Sequence, residues 1–356
     1  MIKTVYNVIG VMSGTSLDGI DLVYATFYMD ATSKWSFDIV FSETVAYDND
    51  WRSKLSNLVG FSLEALKSVD DSYTIYLANV INQFIIKNSI KNIDAVCSHG
   101  HTALHQPNKK LTYQIGNRPE LASLLNQMVV CDFRVQDMAL GGQGAPLVPI
   151  GDKLLFPEYD FCINLGGFAN ISFDDNDERV AYDICPVNIV LNHYVKALGL
   201  GYDDEGQLAS KGTIDQSLLN QLNTLDFYSE NHPKSLGLEW VNKNIFPLID
   251  SFELEINGVL RTFAEHIAIQ IASEIKTKNR VSVLMTGGGV YNSFLLERIK
   301  VLTDNEIMVP SKSTIEFKEA LIFGFLGILK LRNEINCLKS VTGALYNHSS
   351  GIIFHP

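Results

Sequence analysis

The chain has 356 residues, of which 46% are hydrophobic and 19% charged, and its formal net charge at pH 7 is -12. This composition is typical of a folded protein and is too apolar for intrinsic disorder. The acidic balance argues against a nucleic-acid backbone as the main partner, because no broad basic face is available to bind one. At this length we expect two domains.

The five cysteines are scattered along the chain, and none belongs to a C-x-x-C pair. This pattern favours reduced thiols over a disulfide framework or a zinc site. The N-terminal segment has neither the long apolar run nor the cleavage motif of a signal peptide, and we find no membrane span. We therefore expect a cytoplasmic protein.

The first predicted elements are two strands, over residues 4–12 and 20–28, joined by a loop rich in glycine, hydroxyl groups and carboxylate. Apolar residues at helical spacing predict a helix over about residues 73–88. A short strand over residues 93–97 is then expected to open into a polar loop, "SHGHTALHQP". Strand, helix and strand in this order indicate an α/β layer.

A similar plan recurs from residue 161. "FCINLGGFANISF" predicts a second hairpin with a Gly-Gly turn, and residues 260–275 show one apolar helical face. "VSVLMTGGG" predicts a buried strand that runs into three glycines before a helix. "FKEALIFGFLGILKL" predicts a strongly apolar helix with Lys318 and Glu319 near its start.

The loop between the first two strands has the composition of an anion-binding site. Gly14 and Gly19 permit backbone conformations that other residues resist, and exposed N–H groups could line a phosphate. Asp18 would repel that phosphate unless a divalent cation lay between them, so the loop predicts a nucleotide with Mg²⁺. A tight turn with Asp and Gly at its tip explains the same residues without a ligand. The hydroxyls that could add donors belong to Ser13, Thr15 and Ser16.

Two further glycine turns favour the nucleotide interpretation. Gly166 and Gly167 lie in a second hairpin, where they could offer backbone donors to a polyphosphate. Residues 286–289 lie between a strand and a helix, where glycine allows a flat or anionic group to approach the backbone. Each turn alone is weak evidence, and the three together are more specific. The P-loop pattern GxxxxGK[ST] does not occur in the first loop, which excludes that kind of site there.

Eight segments, in this order, resemble the 1,6-anhydro-N-acetylmuramic acid kinase family of the hexokinase/Hsp70/actin superfamily. They are "GVMSGTSLDGID", "SHGHTALHQP", "TYQIGNRPELA", "DFRVQDMALGGQGAPLVP", "INLGGFANIS", "YDDEGQLASKG", "LMTGGGVYN" and "KEALIFGFLG". The resemblance covers nearly the whole chain. It implies a two-domain actin-like ATPase (ribonuclease H-like) α/β fold, with a mixed sheet flanked by helices in each domain and an interdomain cleft. We place the domains at residues 1–133 and 134–334, with residues 335–356 packing back on the first.

That family uses ATP to phosphorylate O6 of an anhydro amino sugar from peptidoglycan and opens the 1,6-anhydro bridge with water. The products are N-acetylmuramic acid 6-phosphate and ADP. The resemblance therefore implies ATP and Mg²⁺ as cofactors, an amino-sugar substrate and a homodimer. The implied nucleotide ligands are Gly14, Thr15, Ser16, Leu17, Asp18, Gly19, Ile20, Asp21, Gly166, Gly167, Gly287, Gly288 and Gly289, with Asp18 also on the metal.

Two other functions are compatible with such a fold. One is a kinase that phosphorylates another sugar hydroxyl without hydrolysing a ring. The other is a chaperone-like ATPase or a sensor, which would need a peptide-binding or DNA-binding module that we do not find in the chain.

The family's catalytic carboxylate lies in a block that usually reads DTGPGN, and the corresponding stretch here is "DICPVN", residues 183–188. Asp183 keeps the carboxylate and is the expected base for attack of water on the anomeric carbon. The differences at Ile184, Cys185 and Val187 remove two glycines and put the local backbone geometry in question. We expect Cys185 to serve packing rather than chemistry. Without the resemblance, a helix cap would be the simpler role for Asp183.

Further residues are expected on the sugar side of the site. The histidines of "SHGHTALHQP" have spacings that metal ligands can adopt, but a hydrogen-bonding loop is the simpler interpretation. Arg134 and Arg118 could each bind a carboxylate or phosphate, or pair with a surface acid. An acid such as Glu319 is also favourable at a helix start. The sugar ligands implied by the resemblance are His99, Gln106, Arg134, Asn188 and Glu319.

Overall fold

The computed structural model describes residues 3–14, 16–276 and 280–356. Its strands alternate with helices along most of the chain, as an α/β protein requires. The strands are β1 (Val5–Ser13), β2 (Gly19–Met29), β3 (Trp35–Ala46), β4 (Ala95–Gln106), β5 (Leu111–Ile115), β6 (Val129–Cys131), β7 (Phe161–Leu165), β8 (Phe168–Asp175), β9 (Glu178–Pro186), β10 (Ser282–Thr286), β11 (Glu306–Met308) and β12 (Ile352–Phe354).

The helices range from one turn to seven turns in length. They are α1 (Asn49–Ser56), α2 (Leu63–Lys87), α3 (Glu120–Leu125), α4 (Val135–Ala139), α5 (Pro149–Leu155), α6 (Asn188–Val195), α7 (Gln207–Lys211), α8 (Gln216–Asn223), α9 (Leu238–Asn244), α10 (Phe246–Asp250), α11 (Ile256–Ile275), α12 (Ser293–Val301), α13 (Lys312–Leu331) and α14 (Lys339–Thr342). Within the described residues, none of these helices combines the length and apolarity that a bilayer crossing needs.

The chain divides into two compact units. Unit 1 is Met1–Phe156 with Phe317–Pro356, and unit 2 is Pro157–Glu316. These boundaries differ from the expected ones after residues 133 and 334. The chain leaves unit 1 later than expected and returns to it earlier, at Phe317. The earlier return follows from the packing of α13 on the unit 1 sheet, where Phe325 stacks on Phe27 of β2 with ring centroids 5.6 Å apart.

Unit 1 is built on a seven-stranded mixed sheet in the described residues, with the order β12-β6-β4-β1-β2-β3 and β5 paired to β4. β1 pairs antiparallel with β2 and parallel with β4, so the predicted first hairpin is confirmed. Helix α2 packs on β1 and β2, because Tyr73, Leu77 and Phe84 share a buried apolar cluster with those strands. It begins ten residues before the expected start, where Ser62 caps it by accepting from the Ala65 N–H.

One expected loop of unit 1 is a strand. The segment predicted to open into a polar loop after residue 97 continues as β4 to Gln106, because its polar stretch pairs antiparallel with β5. The pairing satisfies the backbone of a segment whose side chains alone indicate a loop.

Unit 2 is built on a five-stranded mixed sheet in the described residues, with the order β11-β10-β7-β8-β9. β7 and β8 form the second predicted hairpin, and β10 lies parallel to β7. The apolar face of α11 contributes Leu260, Phe263 and Ile267 to the core that covers this sheet. Two mixed sheets flanked by helices confirm the predicted α/β fold class.

Candidate functional site

The turn between β1 and β2 is tight and exposes polar side chains. The Leu17 N–H donates to the Gly14 carbonyl at 3.4 Å, and Leu17 adopts a φ of 62°. Ser16 and Asp18 are exposed, and the Asp18 carboxylate accepts no hydrogen bond from the part of the chain that the structure describes. Thr15 lies outside the described residues. The turn therefore presents a hydroxyl and an unshared carboxylate, the kinds of oxygen group that Mg²⁺ prefers.

Ser13 does not belong to this exposed set. Its hydroxyl is buried and lies 2.6 Å from the Tyr47 hydroxyl and 2.8 Å from His101 Nδ1. The Tyr47 hydroxyl in turn lies 2.7 Å from that of Tyr73. Burial lowers the pKa of His101 to about 4 and raises the pKa of Tyr47 to about 12, so the chain of contacts is neutral. The expectation that the Ser13 hydroxyl lines a phosphate is thus wrong, because this network already uses it to hold β1 beside β4.

Arg134 is fixed by two acceptors in unit 1. Its Nε donates to His99 Nε2 at 2.9 Å, and its Nη1 donates to the Gly144 carbonyl at 2.6 Å. His99 Nδ1 lies 2.8 Å from the Gly100 carbonyl and must be the donor there, which leaves Nε2 as an acceptor. Burial, and then the Arg134 charge, hold the pKa of His99 well below its usual range, in agreement with a neutral ring. The guanidinium is held rigidly, and its Nη2 donates to no group in the described residues.

Acidic side chains lie close to Arg134. Desolvation raises the pKa of Glu319, the Arg134 charge opposes this rise, and the Asp21 charge adds to it. Burial lowers the pKa of Arg134 to about 10, with Glu319 as the strongest opposing charge. Asp21 also accepts a hydrogen bond from Thr44 at 2.5 Å. Arg134 thus contacts His99 and interacts electrostatically with Glu319, so three predicted sugar ligands are linked. The predicted nucleotide ligand Asp21 interacts electrostatically with Glu319.

Glu319 does not occupy the helix start that its sequence context predicted. Helix α13 begins at Lys312, so Glu319 lies two turns inside it, beyond the region where the helix dipole favours an acid. Its neighbour Lys318 forms a buried ion pair with Asp152 at 2.7 Å. Packing of α13 on the unit 1 sheet, rather than helix electrostatics, places Glu319 near Arg134.

Gln106 and Arg118 differ in what surrounds them. Gln106 ends β4, and its side chain makes no hydrogen bond to the described residues. Desolvation and the Arg134 charge lower the pKa of His105, the residue before it. Arg118 pairs with Asp71 and with Glu120, the latter at 3.1 Å. Arg118 is therefore a surface ion-pair partner, the second of the two roles considered for it.

In unit 2, the carbonyl groups of the β7–β8 turn are bound to the start of α6. The Val187 N–H donates to the Gly167 carbonyl at 2.8 Å, and the Asn188 N–H donates to the Gly166 carbonyl at 3.3 Å. The Gly167 N–H has no acceptor among the described residues, and this glycine is exposed. The turn is thus anchored through its carbonyls and has an amide available for an anion.

The three glycines after β10 pack directly against this turn. Gly287 has a φ of +83°, and a Cβ there would lie 2.6 Å from Asn164 Oδ1 and 2.8 Å from the Leu165 carbonyl. A Cβ on Gly289 would lie 2.7 Å from the Leu165 Cβ, whereas Gly288 faces open space. Both predicted glycine turns of unit 2 therefore form one contiguous backbone surface, with Asn188 at its edge.

Asp183 lies on β9, beside this surface. Cross-strand pairing aligns it with Asn170 of β8, and Asn170 with Asn164 of β7, so the three residues occupy one face of the sheet. Asp183 Oδ2 accepts from the Leu236 N–H at 2.8 Å, and Oδ1 accepts from no described residue. Burial raises the pKa of Asp183, although the Leu236 hydrogen bond opposes the rise. One oxygen orients the carboxylate, and the other is available to accept a proton.

The comparisons with known proteins decide the family. The model of the anhydro-N-acetylmuramic acid kinase family matches residues 6–356. The chain belongs to this family. The anhydro-N-acetylmuramic acid kinase of Mannheimia succiniciproducens is 34% identical over 99% of this chain and 100% of that protein. The enzyme of the same name from Haemophilus influenzae is 32% identical over 97% of each.

Two solved structures that match the chain are more distant. The activator of the 2-hydroxyisocaproyl-CoA dehydratase from Clostridium difficile with bound ADPNP is 15% identical, with a TM-score of 0.41 over 88% of this chain and 91% of that one. A ROK family glucokinase from Streptomyces griseus in complex with glucose and AMPPNP is 12% identical, with a TM-score of 0.40 over 90% and 98% of the two chains.

The residues that depart from the anhydro-N-acetylmuramic acid kinase motif are part of the unit 2 core. Ile184, Cys185 and Val187 are each at most 1% exposed and belong to its apolar cluster. Val187 has a φ of -128°, so it does not adopt the left-handed conformation that favours glycine. The helix-cap role considered for Asp183 is wrong, because Val187 occupies the N-cap position of α6 and Asp183 lies within β9. The motif therefore keeps its carboxylate, while the three residues that differ from it pack in the core.

The positions of some residues near Asp183 could not be predicted from the local sequence. Leu236 orients Asp183 from 53 positions away along the chain. The contact is made by the backbone amide of Leu236, so the identity of its side chain could not predict it. Asn164 and Asn170 flank the second hairpin, and their alignment with Asp183 depends on a register that only strand pairing defines.

Proposed function

We propose that this protein uses ATP and water to convert 1,6-anhydro-N-acetylmuramic acid into N-acetylmuramic acid 6-phosphate and ADP during peptidoglycan recycling. Membership of the anhydro-N-acetylmuramic acid kinase family supports the kinase activity and the sugar. The observation that supports the hydrolytic half is the Asp183 carboxylate, with Oδ2 held by the Leu236 amide and Oδ1 available.

Asp183 acts as the general base in this proposal. Its Oδ1 accepts a proton from water as the water oxygen forms a bond to the anomeric carbon, C1. The C1–O6 bond breaks, O6 forms a bond to the γ-phosphorus, and the bond from that phosphorus to ADP breaks. The raised pKa of Asp183 makes its carboxylate a better proton acceptor than an exposed aspartate.

The glycine turns are the proposed binding elements for ATP. Each turn has the small residues and backbone donors that phosphates or an adenosine require. The N–H groups of Gly167 and Gly287 donate to no described residue, so both are available to donate to the nucleotide. Asp18 suits Mg²⁺ because its carboxylate is exposed and unshared. When bound, Mg²⁺ would neutralise charge on the phosphate oxygens. The full proposed set is Gly14, Thr15, Ser16, Leu17, Asp18, Gly19, Ile20, Asp21, Gly166, Gly167 and Gly287 to Gly289.

The sugar is proposed to contact the cluster around Arg134. The guanidinium offers a fixed cation and a spare donor for the lactyl carboxylate, while Glu319 can accept a hydrogen bond from a sugar hydroxyl. His99 positions Arg134, and Gln106 and Asn188 complete the proposed ligands. We also propose a cytoplasmic homodimer.

A labelling experiment tests the hydrolytic half separately from phosphoryl transfer. The purified protein is incubated with ATP, Mg²⁺ and the anhydro sugar in ¹⁸O-labelled water, and the products are quenched early and analysed by mass spectrometry. We expect equal amounts of ADP and sugar phosphate, with one label at C1 and none in the phosphoryl group. Unlabelled N-acetylmuramic acid 6-phosphate, incubated in parallel, measures exchange at C1. ADP formation with an intact anhydro ring contradicts the proposal and supports a kinase without hydrolysis.

A further inference from the structure

A second cluster of reactive side chains lies in unit 1, separate from the proposed ligands of ATP and sugar. Asp137 of α4, Cys337 and His348 each direct one potential ligand atom to a common point, and these three atoms lie within 4.8 Å of one another. All three residues are at most 5% exposed. Cys337 and His348 are held together by paired backbone hydrogen bonds of 3.1 Å in both directions.

The His348 ring has the orientation of a metal ligand. Its Nδ1 lies 3.1 Å from the Tyr346 carbonyl and must donate to it, so in the neutral ring the lone pair is on Nε2. Nε2 is buried without a hydrogen-bond partner and points towards Asp137 Oδ1, 3.6 Å away. Buried polar atoms are normally satisfied, and metal-bound histidines usually donate their other ring N–H to a carbonyl or carboxylate.

Asp137 is already held in place by groups around the cluster. Its Oδ1 accepts from Cys337 Sγ at 3.0 Å and from the Thr342 hydroxyl at 2.7 Å, and its Oδ2 accepts from the Gly144 N–H at 2.7 Å. Hydrogen bonds of this kind orient ligating carboxylates in metal centres. The cluster thus has three potential ligand atoms and two outer groups that fix one of them.

We propose that Asp137, Cys337 and His348 form a binding site for one divalent cation of the zinc class. A thiolate, an imidazole and a carboxylate are the ligand types that Zn²⁺ takes in proteins. On binding, Cys337 Sγ loses its proton to solvent and bonds to the ion, as do His348 Nε2 and Asp137 Oδ1. The Thr342 and Gly144 hydrogen bonds to Asp137 are retained.

Occupation of this site would reach Arg134 through one residue. Gly144 donates its N–H to Asp137 and accepts from Arg134 through its carbonyl. The ion would therefore stabilise the segment that holds Arg134. Its three ligands, Asp137, Cys337 and His348, are not among the residues proposed to bind ATP or sugar.

Cobalt titration of the full-length protein tests the site. The protein is treated with chelator, dialysed, and titrated with Co²⁺ in the absence of ATP and sugar. We expect one ion per chain, a sulfur-to-cobalt charge-transfer band, and displacement of that band by Zn²⁺. C337S should abolish the band, and H348Q should weaken binding by at least about 100-fold, because both remove a direct ligand. The control C162A, which removes a buried thiol of unit 2, should leave the band unchanged.

A milder variant protects the test against misfolding. T342V removes only the hydroxyl that orients Asp137, and it should weaken Co²⁺ binding about 10- to 100-fold while circular dichroism remains that of the wild type. The proposal is overturned if the wild type binds no Co²⁺, or if the charge-transfer band survives C337S. It is also overturned if ¹⁵N spectra show both His348 nitrogens protonated and Zn²⁺ leaves the Tm unchanged, since His348 would then be an ionic partner of Asp137.

Discussion

The β1–β2 turn and the β7–β8 turn are both glycine-bearing hairpins, but different groups are available at their tips. In the first, Ser16 and Asp18 are exposed and Asp18 has no described partner. In the second, the carbonyls of Gly166 and Gly167 are bound by the first amides of α6, and the Gly167 N–H is available. The first turn can act through side chains and a cation, whereas the two glycines of the second turn can act only through their backbone.

The surroundings of the two hairpins extend this difference. Unit 1 gathers opposite charges: Arg134 and Glu319 act on each other, and Asp21 acts on Glu319. Unit 2 places one carboxylate, Asp183, beside an uncharged surface of glycines and asparagines. The proposed function therefore assigns recognition of a charged sugar to unit 1 and proton transfer to unit 2. The following variants test this division, beginning with the largest expected effect.

D183N removes the proposed proton acceptor while keeping an oxygen for the Leu236 N–H. We expect kcat to fall about 10²- to 10⁴-fold, because a neutral amide cannot take the proton from water. ATP affinity should remain that of the wild type. A coupled assay of sugar-dependent ADP release measures the first effect, and calorimetric titration with ATP measures the second.

The control for this variant is D175N, which changes an exposed aspartate on β8 of the same sheet. It should retain full activity. The wild-type pH profile adds a second check: kcat/KM should fall with decreasing pH through a pKa above the usual aspartate value, because burial raises the pKa of Asp183 and only its ionised form accepts a proton. Substantial turnover by D183N would exclude the base assignment.

R134K tests the sugar-recognition role of unit 1. Lysine keeps a positive charge but cannot donate to His99 and Gly144 together while offering a further planar donor. We expect the KM for the sugar to rise roughly 10- to 100-fold, as for loss of a hydrogen bond to a charged group, with a smaller change in kcat. R118K, at a surface ion pair, is the matched control and should leave KM unchanged. An equal effect of the two variants would contradict the role of Arg134.

G287A tests the backbone surface of unit 2. Its φ of +83° and the short distances from a new Cβ to Asn164 and Leu165 should destabilise unit 2 by about 2–4 kcal/mol. G288A is the matched comparison, since a Cβ there meets open space and stability should change little. Urea unfolding of both variants measures the difference. Equal midpoints would show that the two turns are not packed as described.

The elements with continuous apolar patterns could be predicted from the sequence, and those that depend on partners could not. Both hairpins and the apolar face of α11 follow from local periodicity. The extension of β4 to Gln106 does not, because a polar stretch becomes a strand only when β5 pairs with it. The start of α2 was missed because the polar residues 70–72 interrupt the apolar pattern on which its prediction rested.

The proposed site rests on the sequence where a motif carries the chemistry. Asp183 and the glycine turns follow from recognised segments, while the Leu236 amide that orients Asp183 depends on tertiary structure. The buried cluster shows the same limit more strongly. Cys337 lies 200 positions from Asp137. The absence of C-x-x-C spacing therefore does not exclude a metal site whose ligands are distant in the sequence and come together on folding.

S13A and S16A sharpen the contrast within the first hairpin and have the smallest expected effects. The two serines are three positions apart, yet the Ser13 hydroxyl lies within hydrogen-bonding distance of both Tyr47 and His101, and Ser16 is exposed. Loss of the Ser13 hydroxyl leaves buried polar groups unpaired, so S13A should destabilise the protein by about 1–2 kcal/mol, whereas S16A should not change stability. Conversely, S16A should weaken ATP binding more than S13A does, because only the exposed hydroxyl is available to a phosphate. Thermal unfolding and ATP titration of the two variants give opposite rank orders if the assignment of the two hydroxyls is correct, and the same rank order if it is not.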